Sequence, residues 1–180
     1  NNRTLTLSAE LDNGAFVTAG KDANNVTIKN LAVNTNGNAK HGVQFYCNKG
    51  GELQGVTVNG GSWTAVQVNG ATGVTITGCD LNPAASAYAN IEYGMGSGVT
   101  TIPSVTVDDV SFADGVTQLW ADKGTVSAIQ NAIGNGASEQ DAINKIAQSV
   151  TNKGESDVTV SVGTSGGSQQ VVVEGDPAPV

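Results

Sequence analysis

Charge and aromatic side chains are both scarce in this chain. Charged residues make up 13% and aromatics 4% of its 180 positions, against the quarter or so of charged residues usual in soluble domains. Arg3 is the only arginine, His41 the only histidine, and 8 basic residues stand against 16 acidic ones. Nucleic acid as a partner needs a basic face to neutralise phosphates, and so few cations cannot build one. An anionic membrane surface is disfavoured for the same reason, and no apolar run is long enough to insert into a bilayer. The net charge of −8 serves solubility. Cys47 and Cys79 are the only cysteines, and no Cys/His cluster has metal-ligand spacing. No cofactor is implied, and no metal.

Glycine, by contrast, is abundant, with 24 residues, and Asn, Thr, Ser and Val fill much of the remainder. This is the composition of short strands and tight turns. Four ungapped octapeptides stand out: Val26–Val33, Val56–Trp63, Val74–Leu81 and Val105–Phe112. Each opens Val-Thr-Ile/Val, has Asn, Gly or Asp at its fifth place, and ends on a large apolar residue. Asn30, Gly60, Gly78 and Asp109 suit a tight bend because Asn, Asp and Gly tolerate left-handed backbone angles. A self-similar strand recurring at irregular intervals predicts a coiled repeat architecture.

Between the octapeptides lie second strands with period-two alternation: His41–Tyr46, Thr64–Asn69, Ala89–Gly94 and Asp114–Leu119. Thr4–Leu7 and Ala15–Thr18 supply an earlier coil. The expected fold is all-β, a right-handed parallel β-helix of about five coils over residues 1–124. Its expected inward ladders are Val26/Val56/Val74/Val105, Ile28/Val58/Ile76/Val107 and Val33/Trp63/Leu81/Phe112. After Lys123-Gly124 the period becomes helical at Val126, Ile129, Ala132 and Ile133, then at Ala142, Ile143, Ile146 and Val150. Ser138 and Asp141 form a capping box, and Gly134 and Gly154 close the two helices. Strands at 157–162 and 169–174, joined by the 163–168 turn, complete a small α+β cap over 125–174. Residues 175–180 read as a linker to another module, and the opening at Asn1 as a mature form or an excised piece of something longer.

Candidate sites follow from the ladders. His41 reads as a turn residue at the lip of a strand. Asp108-Asp109 has the carboxylate pair that glycoside hydrolysis needs, but Asp109 occupies a turn place and neighbours on one strand point to opposite faces. Cys47 and Cys79 sit about two rungs, roughly 9 Å or more, apart, which predicts buried free thiols. Gly94-Met95-Gly96-Ser97-Gly98 has no following lysine and reads as a loop. The threonines Thr27, Thr57, Thr75 and Thr106 form an outward array that Lys29, Asn59, Thr77 and Asp108 interrupt, which disfavours ice binding. The outward ladder Gln44, Gln67, Glu92 and Thr117, flanked by Tyr46 and Asn69, offers amides, a carboxylate and an aromatic on a flat sheet. Gln44, Tyr46, Gln67, Asn69 and Glu92 are therefore the candidate binding residues, with no catalytic residue assigned.

The Val-Thr-Ile-x-Asn strands, followed by His41-Gly42-Val43 and Thr64-Ala65-Val66, resemble the pectate-lyase-like β-helix superfamily. More narrowly they resemble β-helix repeats of secreted or cell-wall-anchored bacterial proteins. The resemblance covers about residues 3–120, and residues 125–180 match no family. It implies a scaffold that hosts lyases, hydrolases, esterases, phage tailspikes and adhesins alike. Polygalacturonase motifs do not carry over: Asn34-Thr35-Asn36 lacks the acid, Lys40-His41-Gly42 lacks the first glycine, and no arginine follows. Pectate lyases use calcium carboxylates with a basic residue on the sheet, and Arg3 is far from any such cluster. The expectation is a non-catalytic bacterial secreted or cell-surface module within a larger multidomain protein. It would serve adhesion to glycans or a host or cell-surface ligand, or act as a spacer. The alternative is a carbohydrate-active enzyme, a polysaccharide lyase or glycoside hydrolase, or a fragment of one.

Overall fold

The computed structural model describes residues 3–12, 14–154, 157–163 and 169–175. They wind as a parallel β-solenoid of about five turns. The first coil is β1 (Arg3–Thr6), β2 (Ala15–Ala19) and β3 (Thr27–Lys29). The second is β4 (Leu31–Asn34), β5 (His41–Tyr46) and β6 (Glu52–Gln54). The third is β7 (Thr57–Asn59), β8 (Thr64–Asn69) and β9 (Val74–Thr77), and the fourth β10 (Asp80–Asn82), β11 (Ala89–Gly94) and β12 (Val105–Asp108). The fifth holds β13 (Ser111–Phe112) and β14 (Leu119–Ala121), then helices α1 (Lys123–Ile133) and α2 (Glu139–Ser149), then β15 (Val150–Asn152). Last come β16 (Val158–Val162) and β17 (Gln169–Val173).

Each coil gives one strand to each of three sheets. Two sheets are five-stranded, β1-β4-β7-β10-β13 and β3-β6-β9-β12-β15. The third is seven-stranded, β2-β5-β8-β11-β14-β16-β17. All pairings are parallel except the last, β16 with β17, which is antiparallel. The corner between the third strand of one coil and the first of the next is a single left-handed residue. Asn30, Gly55, Gly78 and Asp109 have φ of 54°, 57°, 58° and 51°. Their amides climb the stack, Asn30 donating to the Gln54 carbonyl, Gly55 to that of Thr77 and Gly78 to that of Asp108. A β-branched residue there would be strained.

Side chains directly above one another fill the interior. Ile28, Leu53, Ile76 and Val107 are in register in one sheet. Val33, Val58, Leu81 and Phe112 are in register in the second. Val43, Val66, Ile91, Leu119 and Val160 run up the third. Burying one such aliphatic side chain is worth about 1.5–3 kcal/mol, so stability accumulates coil by coil.

This register corrects several expectations. The second octapeptide is out of phase: Val56-Thr57-Val58 belongs to the sheet of Val33, and the strand in the Ile28 sheet is Glu52-Leu53-Gln54. The corner is therefore Gly55, not Gly60, and Val56 leaves the Val26/Val74/Val105 ladder. The threonine array reads Thr27, Glu52, Thr75, Thr106, with a carboxylate inside it and Thr57 elsewhere. Trp63 is not inward; it is 43% exposed. The fifth-coil strand of the large sheet is Leu119–Ala121, preceded by turn residues where a strand from Asp114 was expected.

The helices follow their signals at the start. Asp122 caps α1 by accepting from the Thr125 amide at 2.6 Å. Ser138 and Asp141 form the expected reciprocal box on α2, and Gly134 is the C-cap of α1. At the other end α2 stops at Ser149, so Val150 opens a strand and Gly154 does not close the helix. Val126, Ile129, Ala142, Ile143 and Ile146 join the solenoid core. β15 and β16 continue two of the sheets. The 164–168 turn and the 176–180 tail lie outside the described residues.

Candidate functional site

The seven-stranded sheet presents its outer face through every second residue of its strands. Gln44, Gln67, Glu92 and Trp120 stand in register on β5, β8, β11 and β14. Trp120 holds the place expected of Thr117. Alternation slips at the start of β5. Val43 is fully buried, yet a Cβ built on Gly42 would also point inward, 2.3 Å from Val58 Cγ1. Two successive inward residues return His41 to the outer face.

His41, the first residue of β5, is consequently a buried member of this face and not a turn residue. Its Nδ1 lies 2.7 Å from Thr64 Oγ1, and its Nε2 lies 3.9 Å from Glu92 Oε2. Burial, with help from the Lys40 charge, holds the imidazole down at about 4. The 3.9 Å approach to Glu92 is thus not an ion pair at neutral pH. Glu92 is shifted the other way, raised above the usual carboxylate range by burial, while hydrogen bonds from Tyr88 and Gln67 partly restrain the rise. The Tyr88 hydroxyl donates to Glu92 Oε2 at 2.7 Å, and Tyr88 is itself raised, first by burial and then by the Glu92 charge. Gln44 donates to Gln67 Oε1.

Beside this polar ladder runs a row of rings. Lys40, Trp63 and Tyr88 occupy equivalent places in successive coils, the Trp63 amide donating to the Lys40 carbonyl and the Tyr88 amide to that of Trp63. Lys40 Nζ sits 4.0 Å above the Trp63 ring. Ring centroids of Trp63 and Tyr88 are 5.8 Å apart, and those of Tyr88 and Trp120 are 4.6 Å apart. His41 meets Trp63 edge-on at 6.0 Å. Trp120 Nε1 donates to the Gly163 carbonyl at 2.7 Å, which ties its indole to the chain after β16.

All five candidate binding residues lie on this face. Gln44, Gln67 and Glu92 form one row. Tyr46 and Asn69 are paired in the row beside it, and Asn69 Oδ1 accepts from the Gly96 amide at 3.0 Å. Gln67, Asn69 and Glu92 line a cleft of about 510 Å³ closed on its far side by the 94–99 loop, Asp122 and α1. The octapeptides hid His41, Trp63, Tyr88 and Trp120. The second strands starting at His41, Thr64 and Ala89 already put Lys40, Trp63 and Tyr88 in one column, the residue before each start.

A larger cleft of about 650 Å³ lies elsewhere, between the Asp108–Gly115 stretch and Lys153, Gly154, Asp157 and Val158. Asp109 is there as a left-handed corner residue. The size of this cleft does not outweigh the aromatic row and hydrogen-bonded polar groups of the sheet face. Among the described residues, no group of three or more His, Cys, Asp or Glu side chains could hold a metal ion, and no helix is long and apolar enough to cross a membrane. Cys47 and Cys79 are free thiols, Cys79 buried but Cys47 only half-buried, which corrects the expectation that both are enclosed. No family model, curated protein or solved structure matches the chain.

Proposed function

We propose that this chain is a non-catalytic, glycan-binding β-helix module of the pectate-lyase-like kind, displayed by a bacterium as a secreted or cell-surface adhesin. The binding surface is the outer face of the seven-stranded sheet. One observation carries the reading: Trp63, Tyr88 and Trp120 form a continuous run of ring contacts that passes beside the amides of Gln44 and Gln67 and joins the row of Glu92 at Trp120. Sugar rings present apolar C–H faces and an equatorial fringe of hydroxyls. Aromatic faces cover the first, and planar amides and carboxylates satisfy the second. The strands keep these groups on a rigid backbone, so little order is lost on binding.

The test is a glycan array followed by calorimetry on the hits. Trp63→Ala is expected to weaken binding by about tenfold or more, worth about 1.4 kcal/mol, with the melting temperature nearly unchanged. An array without hits refutes the reading and leaves a spacer role, and a Trp63→Ala variant that binds like the parent refutes the placing of the binding surface on this face.

A second reading, a carbohydrate-active enzyme, draws support from His41 and Glu92. A neutral base and a carboxyl of raised pKa stand 3.9 Å apart on the same face, and opposed shifts are a feature of acid–base sites. Reducing-sugar release or formation of unsaturated ends by the purified protein, abolished in Glu92→Gln, would move the function to this class.

A further inference from the structure

The sign of the charge on the sheet face limits which sugars it can hold. Glu92 stands in the middle of the face, hydrogen-bonded from Tyr88, and its charge interacts with that of Asp122. Both carboxyl groups border the cleft of about 510 Å³, together with the amides Gln67 and Asn69. Of the nearby cations, Lys40 lies over the Trp63 ring at the start of β5 and Lys123 is exposed at the start of α1, and neither lines the cleft. His41 is neutral at physiological pH. A sugar stacked on Trp63 or Tyr88 and extending towards α1 therefore places its next ring among acceptors and negative charge.

From this we infer that the face selects glycans without acidic groups and binds most tightly those whose hexosamine units carry a free ammonium, seated between Glu92 and Asp122. The inference rests on the glycan-binding reading and adds the ligand's charge class. A uronate carboxylate in the same place would face two like charges in a partly desolvated cleft, where repulsion is not screened as it is in bulk water. A free amine would donate to both carboxylates with charge-assisted bonds. An N-acetylated or plain hydroxyl sugar keeps the stacking and the neutral hydrogen bonds only.

Three oligosaccharide sets of equal length decide the matter by calorimetry: free-amine glucosamine oligomers, their N-acetylated counterparts, and oligogalacturonates. The free-amine set should bind about tenfold tighter than the acetylated set. That advantage should shrink as salt is raised from low to molar concentration, because the extra attraction is ionic. Uronates should bind at least about tenfold more weakly than the acetylated set. Glu92→Gln keeps the size of the side chain and should erase the amine advantage, so that the free-amine and acetylated sets bind alike. Asp122→Asn, which retains a capping side chain, repeats the test should the first variant not fold. Uronates binding as well as or better than the other sets, with loss in Trp63→Ala, overturn the inference and leave the platform intact. An amine advantage unchanged in the folded variants also overturns it. Failure of all three sets overturns both this inference and the reading beneath it.

Discussion

The imidazole of His41 and the carboxyl of Glu92 come within 3.9 Å although β8 lies between their strands. The approach depends on Gly42, whose inward turn brings His41 outward, and on Tyr88, whose hydroxyl steers Oε2. Both groups are buried enough for protonation to matter to stability.

The two titrations oppose one another in acid. His41 takes up a proton near 6.5 when unfolded and only near 4 when folded. Between those values the unfolded chain binds more protons, so stability falls as pH drops through the window, by up to about 3 kcal/mol. Glu92 is raised, so the folded chain takes up its proton first and gains stability as pH falls through that raised value. Melting temperatures of the parent and His41→Gln should therefore diverge between pH 6.5 and 4, the variant declining less. Parallel curves would contradict the assignment.

Leu53 should be as costly to truncate as any core residue. It is fully buried and in register with Ile28 and Ile76. Leu53→Ala is expected to lose about 2–5 kcal/mol in denaturant unfolding. A loss below about 1 kcal/mol would be too small for a fully enclosed leucine and would place Glu52-Leu53-Gln54 outside the stack.

That residue also marks where the sequence becomes hard to read. Strand alternation and Asn, Gly or Asp corners make the coiling legible, and the octapeptides at Val26, Val74 and Val105 do each straddle a corner. The copy at Val56 has the same letters in a different sheet. All three sheets impose the same in-out alternation, so a Val-Thr-Val string cannot tell one from another. The short Glu52–Gln54 strand carries no such string, although Gly55 two residues after Leu53 is its corner. The phase error displaced Trp63 inward and hid the aromatic row. The residues Gln44, Gln67 and Glu92 were legible because their strands keep period two from Val43, Val66 and Ile91 onward. His41 was not, because the slip at Gly42 is set by contact with Val58 and Ala65, residues distant in sequence.

Gly42 should accept no side chain. An added methyl would lie 2.3 Å from Val58 Cγ1 and 2.9 Å from the Ala65 carbonyl oxygen. Gly42→Ala is expected to lose about 1–3 kcal/mol and, by moving His41, to change the pH profile as well. An alanine variant as stable as the parent would show that the strand start can relax freely.

The two thiols should differ in reactivity. Cys79 Sγ donates to the Leu53 and Thr77 carbonyls at 3.4 and 3.3 Å, and burial pushes its pKa up. Cys47 is half-buried at a corner with φ of 51°. A thiol reagent on the native protein should label Cys47 and reach Cys79 only after denaturant is added. Equal labelling rates, or a mass showing an internal disulfide, would contradict this.

β17 runs against the direction of every other strand in its sheet. An exposed parallel edge is a template on which a second molecule can add its own rungs, and a reversed strand spoils the match in hydrogen-bond direction. A rung of the solenoid's own parallel kind arriving at that edge of the large sheet meets a strand of opposite sense. The reversal belongs to one edge of the described sheet alone, since β2 at the other edge pairs in parallel with β5.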